Sequence, residues 1–202
     1  DPLALGGTTE TVAGPAANPI SPDSACRKKA VERLSWVIEM NHILGSQRLC
    51  GPFHSPLAVF TGQGPTDDEK KHAADTLREA AGLAQKAGVT LCIEYLNRFE
   101  CYFLTTAKDA KALVTAVNHP NFRTMYDTFH AHIEEKNPSS AIKTVADVMA
   151  HVHISENDRG TPGTGQVRWD ENFKTLREVG YDGWLVIEAF GRALPDLRPR
   201  RQ

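Results

Sequence analysis

Cysteine is scarce in this sequence: Cys26, Cys50, Cys92 and Cys101 are the only four among 202 residues, and no two form a C-x-x-C pair. Such scatter argues against the disulfide framework of a small secreted domain. It fits reduced cysteines packed as small hydrophobes in a cytosolic, cytoplasmic protein. No charge of one sign dominates either. The formal net charge is −2, so no field draws a polyanion, and a nucleic-acid partner is disfavoured. No apolar run approaches the length of a membrane span, which disfavours a membrane partner. The opening "DPLALGGTTETVAGPAANP" has neither the charged nor the apolar region of a signal peptide, and no Met stands first, as in a processed chain or a partial sequence. No shift in composition and no linker divides the chain, so residues 1–202 are expected to form a single domain. With 41% hydrophobic and 24% charged residues, it can bury one good-sized core.

Strands and helices alternate along it. A loop rich in Gly, Pro, Ala and Thr opens the chain, with a short strand expected at Leu3–Leu5. Val31, Leu34 and Ile38 are spaced as on a helix running from Ser24 to Gly45. "QRLCGPFHS" reads as a short strand ending at a Gly-Pro break. Thr66 and Glu69 then form a T-x-x-E capping box for a helix that Gly88 ends. Further strands are expected at Val89–Tyr95, Phe122–Tyr126, Ala150–Ile154 and in "DGWLVIEAF". Helices are expected at Ala107–Val117, Ser140–Ala146 and Asp170–Val179. Strands joined by helices of this length make a parallel sheet with right-handed crossovers.

Several of these strands break off in the same way. "LCIE" runs from buried-type residues into Glu94, "TMYD" into Asp127 and "LVIE" into Glu188, while "AHVHIS" carries His153. A buried carboxylate is costly unless paired, hydrogen-bonded or bound to a cation. In a parallel α/β fold all strand C-termini open on one face, so these four groups would converge there. Three oxygen donors and one nitrogen suit Mn²⁺, Mg²⁺ or Co²⁺. Taken singly, each acid has a second reading as a helix cap or salt-bridge partner, and His153 as a core histidine. Glu100, His130 and Arg159 follow the strand ends at short spacing, where a substrate would sit. For Arg159 the alternative is a surface ion pair with Asp158 or Glu156, while His132, Glu134 and Glu135 read as a solvated loop or helix start. Phe53 and His54 are weak candidates for the pocket lining. "GTPGTGQV" has the glycine spacing of a phosphate loop but places Gln166 where Lys is needed, so no nucleotide or other organic cofactor is expected.

The motifs "IEYLNRFE", "MYDTFHAHIEE", "HVHISENDRGTPGTG" and "DGWLVIEAFG" closely resemble those of the D-tagatose 3-epimerase / D-psicose (allulose) 3-epimerase family. The resemblance runs from "LALGGTTE" to "GRALP". It implies an isomerase with the α/β fold of a xylose-isomerase-like TIM (β/α)8 barrel, here lacking the first two βα units and the last helix. It further implies metal ligands at Glu94, Asp127, His153 and Glu188, with Mn²⁺, Co²⁺ or Mg²⁺ as the ion. Glu94 and Glu188 would be the catalytic acid–base pair, and Glu100, His130 and Arg159 would contact a ketose. A homo-oligomer, dimer or tetramer, is implied as well. Three alternatives stay open. One is a related isomerase such as a hydroxypyruvate isomerase. Another is an endonuclease IV-like enzyme, for which the chain lacks extra ligands and a basic face. The third is a non-catalytic remnant of the barrel.

Overall fold

A computed structural model describes Thr8, Thr9 and residues 14–190. Among these residues six strands form one all-parallel sheet in simple sequence order. They are β1 (Thr8–Thr9), β2 (Arg48–Gly51), β3 (Thr90–Ile93), β4 (Phe122–Asp127), β5 (Met149–Ile154) and β6 (Leu185–Ile187). The connecting helices are α1 (Ser24–Ile43), α2 (Asp67–Lys86), α3 (Ala107–Val117), α4 (Thr128–Glu134), α5 (Pro138–Val145) and α6 (Trp169–Glu178). The strand expected at Leu3–Leu5 lies outside the described residues.

Local chemistry sets most helix ends. The Thr66 hydroxyl accepts from Glu69 N–H at 3.2 Å and the Glu69 carboxylate from Thr66 N–H at 2.8 Å, the reciprocal box read from the sequence. Gly88 leaves α2 with φ +70°, a conformation that costs other residues. Asn137 caps α5 by accepting from Ser140 N–H at 2.9 Å, and Pro138 supplies the first turn. The helix expected at Ser140–Ala146 therefore begins two residues early.

One helix was not expected. Residues read as a loop or helix start form α4, which follows β4 with no intervening residue. Seven residues are too few to show an apolar period, and its cap is the last residue of the strand: Asp127 Oδ1 accepts from Phe129 N–H at 2.6 Å. The last strand is also shorter than "DGWLVIEAF" suggests, with Leu185 and Ile187 exposed.

The main core lies between the sheet and its helices. Leu49, Leu91, Ile93, Phe122 and Val152 from the strands meet Leu77, Ala80, Leu113, Val117 and Ile142 from the helices. Each large side chain buried there contributes about 1.5–3 kcal/mol. Cys50, Cys92 and Met125 pack together on the opposite face of the sheet, and all four cysteines are free thiols.

That second face is concave. A flat sheet would hold β3 and β6 about 14 Å apart, three strand spacings, yet groups at their ends lie within 4.8 Å of one another. At the opposite end of the strands, Arg48 Nε on β2 reaches the Ala150 carbonyl on β5 at 3.1 Å. The sheet is curled as in a barrel wall.

Candidate active site

Curling brings the four strand-end residues together. Glu94 directly follows β3, Asp127 ends β4, His153 lies on β5 beside Asp127 in register, and Glu188 directly follows β6. One ligand atom from each falls within 4.8 Å of all the others. Glu94, Asp127 and His153 are 4%, 1% and 3% exposed, and Glu188 is half-buried. Glu94 Oε1 and His153 Nδ1 are buried without a hydrogen-bond partner. His153 Nδ1 stands 3.8 Å from Asp127 Oδ2 and 3.5 Å from Glu188 Oε2, too far or too poorly aligned to bond either. Unpartnered polar atoms of two kinds, an oxygen and a nitrogen, converging in a buried acidic cluster, fit a hard or borderline divalent cation.

The electrostatics agree. Burial, aided by the charges of Asp127 and Glu188, pushes the Glu94 carboxyl well above its ordinary range. Burial would also raise Asp127, but His153, His130 and Arg159 beside it outweigh that and hold it far below. Burial pulls the His153 imidazole down, yet Asp127 and Glu188 overcome it and raise it to about 10. Both shifts show that the cluster favours an added positive charge, which a cation could supply as a proton does.

Arg159 closes the cluster. Its Nη1 donates to Asp127 Oδ2 at 2.9 Å, to Ser155 Oγ at 2.8 Å and to Glu188 Oε2. Its Nη2 stands 3.0 Å from His130 Nε2, and the guanidinium lies 3.9 Å from the Phe129 ring centre. The surface pair with Asp158 or Glu156 is therefore not the one formed. Arg159 also holds a left-handed φ of +59°, a conformation that costs a non-glycine residue energy and often marks functional sites.

Glu156 is instead turned into its own loop. Its carboxylate accepts from the backbone N–H groups of Asn157, Gly163 and Val167 and from Trp169 Nε1, at 2.9–3.0 Å. Burial opposes its ionisation, but these four donors prevail and hold it down at about 2. The glycine-rich "GTPGTGQV" segment is thus a nest already filled by a carboxylate of the same loop.

On the other flank, His130 Nδ1 accepts from Asn97 N–H at 3.0 Å, and Glu100 Oε1 accepts from Asn97 Nδ2 at 2.7 Å. His130 Nε2 lies 3.5 Å from Glu94 Oε1, and burial pushes its imidazole down to about 4. His130 and Arg159 thus border the cluster, and Glu100 is joined to it through Asn97 and His130. Glu134 corrects the reading as a solvated residue. It is buried and accepts from Arg98 N–H at 2.7 Å and from the Arg98 guanidinium at 2.9–3.2 Å. Glu135 accepts from Ala107 N–H at 2.7 Å, serving the start of α3, whereas His132 is exposed as expected. Phe53 belongs to the main core. His54 is buried beside Ser55 and Phe103, and burial pushes its imidazole down to about 3. Asn97 and Glu156 were not singled out by sequence; only their places in "NRFE" and "ENDRG" could have flagged them.

A curled parallel sheet with a metal-type cluster at its strand ends defines the class. Residues 6–202 match the family model described as xylose isomerase-like TIM barrel, and the chain belongs to that family. Its relatives include the D-psicose 3-epimerase of Ruminiclostridium cellulolyticum, 35% identical over 190 residues that make up 92% of this chain and 65% of that protein. The ketose 3-epimerase of Arthrobacter globiformis is 33% identical, over 88% of this chain and 62% of the relative. Among solved structures, D-psicose 3-epimerase with D-tagatose from Clostridium cellulolyticum H10 superposes with a TM-score of 0.82 at 34% identity, covering 89% of this chain and 63% of that one. The chain thus spans a little under two thirds of the length of these relatives.

Proposed function

We propose that this chain carries the active site of a metal-dependent ketose 3-epimerase acting on free ketohexoses, the pairs D-fructose/D-psicose and D-tagatose/D-sorbose. One observation supports it most directly: Glu94, Asp127, His153 and Glu188 converge within 4.8 Å, with a glutamate from each side of the cluster. The names of the relatives point the same way.

Epimerisation at C3 removes a proton beside a carbonyl and returns one to the opposite face. Two carboxylates on separate strands can flank a sugar, which a single base could not do without moving. Glu94 and Glu188 take these roles, one withdrawing the C3 proton to give the cis-enediolate and the other protonating the far face. The direction of reaction decides which acts first. Burial and the neighbouring carboxylates raise the affinity of Glu94 for a proton, the direction a general base that must take up a proton requires. Glu94, Asp127, His153 and Glu188 would hold Mn²⁺, or Co²⁺ or Mg²⁺, which when bound supplies Lewis-acid stabilisation of negative charge on the substrate oxygens. His130 and Arg159 orient the oxygens near C1–C3, and Glu100 accepts from a hydroxyl.

The test is to incubate the chain with D-fructose in D₂O, with Mn²⁺ and then with a chelator, following deuterium by NMR. Metal-dependent exchange at C3 with D-psicose appearing is the expected result. Exchange at C1 would assign an aldose–ketose isomerase instead, and no exchange from a folded, metal-loaded chain would refute catalysis. Light scattering on the same sample tests the homo-oligomer that belongs to this reading.

A further inference from the structure

Asn97 is 1% exposed, lies between β3 and α3, and every hydrogen-bonding atom of its side chain is engaged. Its Oδ1 accepts from Phe99 N–H at 3.0 Å. That bond fixes which way the amide faces, because a backbone N–H can only donate. Nδ2 is therefore turned inward with two protons to give. One goes to Glu100 Oε1 at 2.7 Å, and the other points at His130 Nδ1, 3.1 Å away. The Asn97 backbone N–H donates to the same His130 nitrogen at 3.0 Å. Two donors from one residue thus converge on one imidazole nitrogen, and a nitrogen that accepts carries no proton.

We propose that Asn97 is a positioning residue that locks His130 in the Nε2–H tautomer and holds Glu100 as an acceptor, so that His130 meets the sugar as a hydrogen-bond donor and not as a base. The tautomer rests on the two Asn97 donors that converge on Nδ1, against the single Arg159 donor that faces Nε2; what the donor meets rests on the epimerase reading above. The turn that carries Asn97 is rigidly placed for this. Arg98 N–H and its guanidinium both bind Glu134, and Glu134 stands on α4 with His130. The turn is therefore tied to one helix at two points. With its proton on Nε2, His130 faces Arg159 Nη2 at 3.0 Å, donor against donor. An acceptor oxygen entering between them receives both protons and relieves that repulsion.

Long-range ¹H–¹⁵N correlation spectra of the full chain labelled with ¹⁵N-histidine, with His130 assigned through His130→Gln, read the tautomer directly. The wild type is expected to show Nε2 protonated and Nδ1 bare at neutral pH. Asn97→Ala keeps the backbone donor on Nδ1 but loses the side-chain one and the hold on Glu100, so it is expected to shift the His130 Nδ1 resonance toward partial Nδ1 protonation and to raise KM for the ketose several-fold more than it lowers kcat. A wild-type His130 protonated on Nδ1, or an Asn97→Ala spectrum identical to wild type, would overturn the proposal. Should Asn97→Ala fail to fold, the wild-type spectrum still decides the tautomer, and Asn97→Ser, which keeps one donor, replaces it. An Nε2–H tautomer that shifts in the variant of an inactive chain would sink the epimerase reading and leave this proposal standing. An active chain with Nδ1–H would do the reverse.

Discussion

Asp127 and Arg159, thirty-two positions apart in sequence, are joined at 2.9 Å through Asp127 Oδ2, while Asp127 Oδ1 caps α4. The residue caps a helix with one oxygen and faces the cluster with the other. The two roles are separable by substitution. Asp127→Asn keeps an acceptor for the Phe129 N–H but loses the charge. It is expected to fold and to bind Mn²⁺ more than about tenfold more weakly. Asp127→Ala loses the cap as well, so it should be less stable than Asp127→Asn by about 1 kcal/mol. Calorimetric titration and urea melts of the pair check both. Equal stability of the two variants would remove the capping role.

The second prediction concerns pH and metal together. Folding raises the proton affinity of Glu94 and His153, the latter to about 10. A group whose folded pKa lies above its unfolded value stabilises fully below the unfolded value and loses that contribution as pH rises through the folded one. The metal-free protein should therefore lose stability between about pH 6.5 and pH 10. Mn²⁺ displaces these protons, so the loaded protein should be more stable and its stability flatter across that window. Thermal melts with Mn²⁺ and with a chelator, at several pH values, test this. Parallel curves would contradict it.

Glu156 predicts the opposite limb. Its folded pKa of about 2 lies below the ordinary carboxylate value of 4.5, so its contribution is present above about pH 4.5 and is lost as pH falls toward 2. The shift corresponds to roughly 3 kcal/mol. Glu156→Gln should remove that much at neutral pH and flatten the acid limb of the stability profile between those values. Urea melts from pH 6 down to pH 2.5, run on both proteins, would show it. An unchanged acid limb would mean that the four donors do not act on its charge.

The same loop tolerates no added methyl at one position. A Cβ on Gly165 would come within 2.6 Å of Glu156 Cγ, and it also meets Asn157 Oδ1. Glu156 is held by four hydrogen bonds and cannot give way. Gly165→Ala should cost about 1–3 kcal/mol and displace Arg159, which lies in the same loop. Gly82→Ala in α2 meets nothing within 4 Å and should be neutral or stabilising by about 0.5–1 kcal/mol. Similar melting of both variants would contradict the packing of the loop.

Legibility in the sequence followed the range of the interactions. The four cluster residues were readable because each interrupts an apolar strand, a local contrast, and the direction of a parallel sheet does the rest. The helix after Thr66 was readable because its cap is local. Arg159 was found but given neighbours in sequence as alternative partners, when its actual partners are Asp127 and Glu188. Glu134 looked solvated because Arg98, which buries it, lies thirty-six positions away. Asn97 was marked only by its place in "NRFE": an uncharged side chain inside a motif shows its importance when its three bonds are seen together. The helix Thr128–Glu134 was missed because a strand residue supplies its cap.

The loop that closes around Glu156 has a further consequence. Backbone N–H groups gathered by glycines usually wait for a phosphate brought by a ligand. Here the anion is built in, and the donors are taken before any ligand arrives. A phosphate reaching this loop would find those amides already bonded to Glu156, so the glycine spacing that resembles a phosphate loop serves the loop's own closure.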